Sequence, residues 1–218
     1  MAEPLVLALD TSTVVNVGLA RGDQVLAQAT IADRMAHVEQ LTPAVRDCLS
    51  QAGVRVADLA QIVVGLGPGP FTGLRVGVVT AQVLASVAGV QLHGVCSLDA
   101  LAAQFAAQSP DGEFVVATDA RRREVYWAGY TPDGRRTSGP TVSAPADVPR
   151  RPTVGPALGF YPDQLLAAPG PRALDPGVLA VRGPALPDAG REPLYLRRPD
   201  AAEPTRRKSV LPTAARSA

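Results

Sequence analysis

The chain has 218 residues, of which 46% are hydrophobic and 19% charged, and its formal net charge is +1. This is the composition of a globular protein with one or two domains. The nearly neutral charge excludes a strong overall attraction to nucleic acid or to an acidic membrane. With two cysteines the chain has no disulfide framework. Its first residues lack the basic start and cleavage site of a signal peptide, so we expect a cytoplasmic protein outside the membrane.

The N-terminal part of the chain predicts three strands followed by a helix. The strands are apolar runs, and the turn Arg21-Gly22-Asp23 is typical of a hairpin. The helix has apolar residues at helical spacing, with Pro43 near its start. The predicted elements are strands Leu5–Leu9, Val14–Ala20 and Gln24–Ile31 and helix His37–Ala52.

A glycine-rich stretch, residues 65–77, is the centre of the pattern. Ile62–Leu66 predicts a short buried strand, Gly67-Pro68-Gly69 a turn that allows close backbone approach, and Phe71–Val87 a helix. The apolar residues of this helix go round most of its circumference. A helix of this kind must be buried on more than one side, so we expect another protein to cover one of them.

The remaining elements complete an α/β pattern. A strand over Gln91–Val95 gives the order βββαβαβ, which suggests a ribonuclease-H type of domain. A further helix runs from Ser97 to Gln108, and the second half is loop-rich. Its predicted strands are Phe114–Thr118, Glu124–Tyr130, Thr137–Val142 and Val178–Val181. We expect one subdomain over 1–105, a smaller one over 106–198, and a disordered tail over 199–218.

The turn Asp10-Thr11-Ser12 after the first strand is the main candidate for phosphate chemistry. Kinases of the actin and sugar-kinase type place an acidic residue there to hold a metal–phosphate group. A turn that merely caps a strand through its side chains has the same composition, and both interpretations stay open. The glycine stretch fits neither common nucleotide motif, because Pro70 replaces a required glycine and the only lysine is Lys208.

Two other groups of polar residues have weaker functional interpretations. His37 and His93 are far apart in sequence, so we interpret them as a surface residue and an ordinary strand residue. The charged run from Asp119 through three arginines to Glu124 lies at a predicted strand end. It is either a solvated corner or a contact for phosphate or RNA.

Several motifs together resemble the bacterial TsaB (YeaZ) family. The resemblance covers about residues 5 to 200. The matching motifs are Leu7-Ala-Leu-Asp-Thr-Ser-Thr13, Gly67-Pro-Gly-Pro-Phe-Thr-Gly-Leu-Arg-Val-Gly77, Gly94-Val-Cys-Ser-Leu-Asp-Ala-Leu101, Asp119-Ala-Arg-Arg-Arg-Glu-Val-Tyr126 and Pro193-Leu-Tyr-Leu-Arg-Arg-Pro199. In the glycine motif, Pro70 replaces the usual serine of the family, which should leave the start of the helix intact.

The resemblance implies a fold, a role and partners. The fold is a pair of actin-like ATPase subdomains, in a degenerate paralogue of the catalytic subunit TsaD. The role is that of a non-catalytic subunit in threonylcarbamoyl transfer to adenosine 37 (t6A) of tRNAs that read ANN codons. The partners are TsaD and the ATPase TsaE, with tRNA reached indirectly through the complex. ATP or ADP is expected only at the interface of the complex, and no cofactor on this chain alone.

The resemblance also implies that this chain lacks the metal site of its catalytic paralogue. The paralogue carries a histidine pair in the segment matching Gly94–Leu101, and Ser97 and Leu101 stand at those positions here. We therefore expect no bound metal. Asp10, Thr11 and Ser12 are then a vestigial phosphate turn.

The partner surface is expected on the two helices His37–Ala52 and Phe71–Val87. In the family these helices pack against the equivalent pair of the partner, or of a second copy when the partner is absent. The predicted interface residues are Val38, Leu41, Val45, Phe71, Arg75, Val79 and Val83. The alternatives are a small-molecule kinase that uses Asp10 and a peptidase, for which the two histidines are too far apart in the sequence.

Overall fold

The computed structural model describes residues 3–32 and 37–197, with the backbone alone at 37 and 38. The described strands are β1 Leu5–Asp10, β2 Val15–Arg21, β3 Gln24–Ile31, β4 Gln61–Gly65, β5 Gln91–Val95, β6 Phe114–Asp119, β7 Val125–Tyr130, β8 Arg136–Ser143 and β9 Thr153–Val154. The α-helices are α1 His37–Gln51, α2 Phe71–Ala88, α3 Ser97–Ala106 and α4 Pro176–Arg182. Single 3-10 turns lie at Val56–Asp58, Pro145–Asp147, Pro156–Gly159 and Gly183–Ala185.

The strands form two sheets with the same plan. The first sheet has the order β3-β2-β1-β4-β5 and the second the order β8-β7-β6-β9. In each, three antiparallel strands are followed by one that pairs in parallel with the first of them. The turns also match, because Asp10 pairs with Asn16 and Asp119 pairs with Val125. The second half of the chain therefore repeats the topology of the first.

Alternating side chains of the strands fill three hydrophobic clusters. Leu5, Leu7 and Leu9 of β1 pack with α1 and α2 on one face of the first sheet. Val6 and Ala8 pack on the other face, in a cluster that contains α3, α4 and part of the second sheet. The third cluster covers the far side of the second sheet. Successive side chains of a strand point to opposite faces, so a strand that is buried on both faces, such as β1, is apolar at nearly every position.

Most of the predicted elements are confirmed within one or two residues. The hairpin between β2 and β3 turns at Gly22, whose φ of 55° suits glycine. Helix α1 runs through Pro43. Helix α2 begins directly after Pro70, its N-cap, so the start of this helix is intact.

The predicted strand Val178–Val181 is wrong, because these residues lie in helix α4. Asp175 caps this helix by accepting hydrogen bonds from the amides of Gly177 and Val178. Pro176 stands in its first turn, where a proline is tolerated. The cap and the proline outweigh the strand preference of the valines.

Helix α4 returns the chain to the first sheet. It packs on β1, β2 and β3, and the approach is so close that a Cβ on Gly18 would lie 1.9 Å from the carbonyl oxygen of Pro176. Further on, the amides of Ala189 and Leu194 donate to Gly94 and Leu66. The predicted subdomain 106–198 thus contributes directly to the core of the first subdomain. The predicted tail, 199–218, lies outside the described residues.

A buried carboxylate lies between the two sheets. Asp99, in the first turn of α3, is 5% exposed and accepts a 2.8 Å hydrogen bond from the Tyr130 hydroxyl of β7. The guanidinium of Arg136 in β8 lies 3.6 Å away. Burial raises the pKa of Asp99, and the hydrogen bond from Tyr130 and the charge of Arg136 oppose this rise.

We expect Arg136→Gln to destabilise the chain by about 1–2 kcal/mol at pH 7 and by less at pH 4. Because the folded-state pKa of Asp99 is raised, its protonation stabilises the fold below the unfolded pKa of about 4. This stabilisation is lost as the pH rises through the folded pKa, and Arg136 then offsets the ionised form. Urea denaturation at both pH values measures the difference. Arg135→Gln, at an exposed neighbour, should change stability little, and an equal loss at both pH values for Arg136→Gln would contradict the assignment.

Candidate functional site

The Asp10–Ser12 turn is buried in the chain itself. Asp10 and Thr11 are 0% exposed and Ser12 is 5% exposed. One oxygen of the Asp10 carboxylate accepts hydrogen bonds from the amide of Ser12, at 2.9 Å, and from its hydroxyl, at 2.7 Å. The Thr11 hydroxyl donates to the carbonyl of Gly73 in α2, at 2.8 Å. The turn therefore joins the end of β1 to the first turn of α2.

Ser97 binds the other oxygen of the same carboxylate. Its hydroxyl donates to Asp10 Oδ2 and accepts a 3.0 Å hydrogen bond from the amide of Gly67. Ser97 is the first residue of α3 and is 5% exposed. One hydroxyl thus connects the Asp10–Ser12 turn, the glycine turn and α3.

Glycines allow this close packing. A Cβ on Gly65 would lie 1.8 Å from Asp10 Oδ2, and a Cβ on Gly77 would lie 2.2 Å from Thr11 Oγ1. Real Cβ atoms do not approach other atoms so closely, so a side chain at either position would push the turn out of place. The sequence predicted a close approach at Gly67-Pro68-Gly69, and a Cβ on Gly69 would lie 2.5 Å from the carbonyl oxygen of Ser12 in the chain's own Asp10–Ser12 turn.

In this conformation the turn acts as a structural junction. Both carboxylate oxygens of Asp10 accept hydrogen bonds from the chain, and Thr11 is engaged with α2. A phosphate or metal ion would have to displace these bonds and open a fully buried segment. Phosphate binding by Asp10, Thr11 and Ser12 stays a prediction.

Helix α2 is buried on one face and exposes apolar residues on the other. Val79, Val83 and Val87 are 55%, 56% and 73% exposed. Together with Phe71 and Arg75 they form a row at intervals of four residues, which lies along one side of a helix. We call these five residues the α2 ridge. Among the helices of residues 3–32 and 37–197, α2 is the one that is long and apolar enough to span a membrane, a test that the core helix of a soluble protein also passes.

The N-terminal end of the α2 ridge is partly covered by the chain itself. The ring of Tyr195 lies 4.7 Å from that of Phe71, between centroids. The guanidinium of Arg75 lies 3.8 Å from the centroid of the Phe71 ring, and its Nε donates to the Tyr195 hydroxyl at 3.2 Å. Phe71 is half-buried under this contact and Arg75 stays exposed, so the exposed apolar part of the ridge is its three valines.

Helix α1 presents a different surface from the one predicted. Leu41 and Val45 are 0% and 4% exposed and pack in the core against the first sheet. They are not available to a partner in this conformation. The exposed side of α1 is polar and includes the ion pair between Arg46 and Asp47. The side chain of Val38 lies outside the described part of the chain.

Asp119, at the end of β6, occupies the place that Asp10 has at the end of β1. Its carboxylate accepts hydrogen bonds from the amide of Arg121, at 3.0 Å, and from the Tyr161 hydroxyl, at 3.3 Å. The sequence predicted a solvated corner or a contact for phosphate or RNA here, and did not show that Asp119 is the counterpart of Asp10. The similarity of Leu-Val-Leu-Ala-Leu-Asp10 to Phe-Val-Val-Ala-Thr-Asp119 could have identified the repeat.

The remaining candidates do not form a catalytic group in the described part of the chain. Nε2 of His93 lies 3.0 Å from the Leu186 carbonyl, so this nitrogen donates the hydrogen bond. Across residues 3–32 and 37–197, no three His, Cys, Asp or Glu side chains come together as a metal site. The side chain of His37 is not described.

Comparisons with known proteins identify the family. The model of the TsaD family, described as tRNA N6-adenosine threonylcarbamoyltransferase, matches residues 24–159. An uncharacterized protein of Mycobacterium tuberculosis is 45% identical over 90% of this chain and 93% of its own length. TsaB of Escherichia coli, named a tRNA threonylcarbamoyladenosine biosynthesis protein, is 36% identical over 59% of this chain and 55% of its own length. The structure of YeaZ from Pseudomonas aeruginosa superposes with a TM-score of 0.70, at 28% identity, over 88% of this chain and 100% of that one.

The chain belongs to the TsaB (YeaZ) branch of this family. Its fold is accordingly the actin-like ATPase fold, and the two sheets of like topology are its two ribonuclease-H-like halves. In this setting Ser97 and Leu101 have structural roles. Ser97 holds Asp10, and Leu101 is 2% exposed in the core between the sheets.

We expect Ser97→Ala to destabilise the chain by about 1–3 kcal/mol, because it leaves the Gly67 amide without its acceptor and Asp10 with one donor fewer. Urea denaturation followed by circular dichroism measures the loss. Ser86→Ala, at an exposed position of α2, should stay within about 0.5 kcal/mol of the unmodified chain. Equal stability of the two variants would show that the Ser97 junction does not hold the fold together.

Proposed function

We propose that this chain is a non-catalytic subunit of the machinery that makes t6A at adenosine 37 of ANN-decoding tRNAs. In this role it stabilises a TsaD-type catalytic subunit. The observation that carries the proposal is the similarity to TsaB proteins of Escherichia coli and Bacillus subtilis, each 36% identical over about half of its own length. We propose that the chain functions in the cytoplasm, where tRNA is modified.

The closed Asp10–Ser12 turn supports a role without chemistry of its own. A phosphate clamp needs donors and an acidic residue that are free to meet the ligand. Here Ser12 and Ser97 already donate to the Asp10 carboxylate. The same contacts give no support to the alternative, a small-molecule kinase that uses Asp10.

The valines of the α2 ridge support a protein interface. Full burial of a valine contributes roughly 1.5–3 kcal/mol, so three exposed valines in a row favour a covering partner. A groove of about 530 Å³ lies beside the C-terminal part of α2 and is lined by Gln82, Ser86, Leu92 and Arg191 among others. Because a stable interface covers about 800 Å² on each partner, the ridge would form its centre and the groove part of its rim.

The proposal gives this surface one occupant, the paralogous TsaD-type subunit. The two chains share a family and hence a helix equivalent to α2. Without that subunit, a second copy of the present chain takes its place and forms a homodimer. A TsaE-type ATPase joins the complex, and ATP or ADP binds at the subunit interface rather than on this chain alone.

The decisive experiment is a reconstitution of tRNA modification. Unmodified tRNA is incubated with the TsaD-type and TsaE-type subunits, ATP and threonylcarbamoyl-adenylate, with and without this chain. We expect t6A, measured by mass spectrometry of nucleosides, to require the chain. Modification at full rate without it would contradict the proposal.

Variants of the α2 ridge test how the chain acts. Val79→Glu and Val83→Glu should lower both self-association and t6A formation at least about tenfold, because each buries a charge in an apolar contact. Light scattering and the reconstitution measure the two effects. Val25→Glu is the matched control, since Val25 is 43% exposed on β3, and it should leave both unchanged.

The kinase alternative predicts a different outcome. The purified chain alone would hydrolyse or transfer the γ-phosphate of ATP, and Asp10→Asn would abolish this turnover. In the proposed role the chain alone turns over no ATP. A measured turnover that depends on Asp10 would therefore replace the proposal by the kinase assignment.

A further inference from the structure

The turn between β6 and β7 holds three consecutive arginines in an unusual backbone conformation. Arg121, Arg122 and Arg123 have φ angles of 59°, 55° and 61°. Left-handed backbone is disfavoured for residues with a side chain. Such strain persists only where the surroundings enforce it, and it is concentrated at functional sites. We call these three residues the arginine corner.

The chain holds this corner from both sides. The Ala120 amide donates to the Glu124 carbonyl at 2.9 Å, and the Glu124 amide donates back to the Arg121 carbonyl at 3.0 Å. Asp119 accepts from the Arg121 amide. Arg197, near the end of the described chain, donates to the Ala120 carbonyl at 2.8 Å and forms an ion pair with Glu124.

These contacts leave positive charge facing solvent. All three arginines of the corner are exposed. Glu124 is paired with Arg197, and Asp119 accepts from an amide and from Tyr161. Among the described residues, the side chains of Arg121 and Arg123 form no ion pair. Arg121 and Arg123 therefore present their guanidinium groups to solvent.

The corner also lies where α/β proteins place their ligands, outside the carboxyl end of a parallel strand. The equivalent turn of the first half, Asp10–Ser12, is closed by the chain's own contacts. The second turn is open and basic. Small ligands bury most of their surface in a cleft, whereas exposed arginines on an open corner suit a series of phosphates.

We propose that Arg121 and Arg123 bind phosphate groups of an RNA backbone, so that this chain contacts RNA itself. Arginine suits this role because its planar guanidinium can bind a phosphate through two parallel hydrogen bonds. The choice of RNA rests on the proposed function in tRNA modification. The proposal differs from the expectation, based on the resemblance, that tRNA is reached only through the complex.

The test is RNA binding by the full-length chain over a series of salt concentrations. The probe is an unmodified, fluorescently labelled transcript of an ANN-decoding tRNA, and fluorescence anisotropy gives Kd. Arg121→Gly/Arg123→Gly should bind roughly tenfold more weakly at low salt, and the salt slope should fall by about one for each lost phosphate contact. Because glycine accepts left-handed φ, the melting temperature should be unchanged or higher, which separates lost binding from lost folding.

A double variant with the same change of charge is the control. Arg21 and Arg150 are exposed and lie at the ends of the sheets away from the Asp10 and Asp119 turns. Arg21 pairs with Leu5 at the start of β1, and Arg150 precedes β9. Arg21→Ala/Arg150→Ala should keep the affinity and the salt slope of the unmodified chain. An equal loss in both double variants, or no loss in the corner variant, would overturn the proposal. So would ATP binding that is lost in the corner variant while tRNA binding persists.

The reconstitution separates this proposal from the proposed function. If t6A formation requires the chain but the corner variant binds tRNA like the unmodified chain, the arginine corner is excluded and the subunit role stands. If the chain is dispensable for t6A but loses tRNA binding in the corner variant alone, the RNA contact stands and the subunit role fails.

Discussion

The buried carboxylate of Asp10 is the constraint on which the first half of this structure depends. A carboxylate without exposure is costly unless the protein supplies its hydrogen bonds. Ser12 and Ser97 supply them, and Ser97 also accepts from the glycine turn. The end of β1, the start of α2 and the start of α3 are thereby fixed at one point. Glycine at 65 and 77 follows from this, because any side chain there would occupy the space of the turn.

Because the Asp10–Ser12 turn is closed, the candidate functional features lie on the surface of the molecule. In an actin-like fold the turn after the first strand is the natural place for a phosphate, and here the chain fills it with its own hydroxyls. What remains accessible is the row of valines on α2 and the arginine corner on the second sheet. The first is apolar and the second is cationic. The proposed role would use the first surface for a protein partner and the second for RNA.

Local sequence patterns predicted where the helices and strands lie better than they predicted what packs against them. Apolar runs were enough to predict β1 to β5, and the glycine motif was enough to predict the start of α2. Periodicity shows which side of a helix is apolar and not what covers it, so Leu41 and Val45 were assigned to a partner although the first sheet covers them. The valines of α4 favoured a strand, and the helix is indicated only by the capping residue Asp175. The place of Asp119 depends on a repeat that only a comparison of the two halves reveals.

The return of helix α4 has a consequence for how this protein is made. Gln28 in β3 accepts a hydrogen bond from the amide of Gly177, across a sequence separation of 149 residues. One face of the first sheet is therefore completed only after nearly the whole chain has left the ribosome. Contacts of such long range are slow to form, and unpaired apolar surface on a nascent chain is prone to aggregate. Until the last helix arrives, Val6 and Val63 on this face of the sheet lack the cover that Leu179 and Ala180 provide in the finished fold.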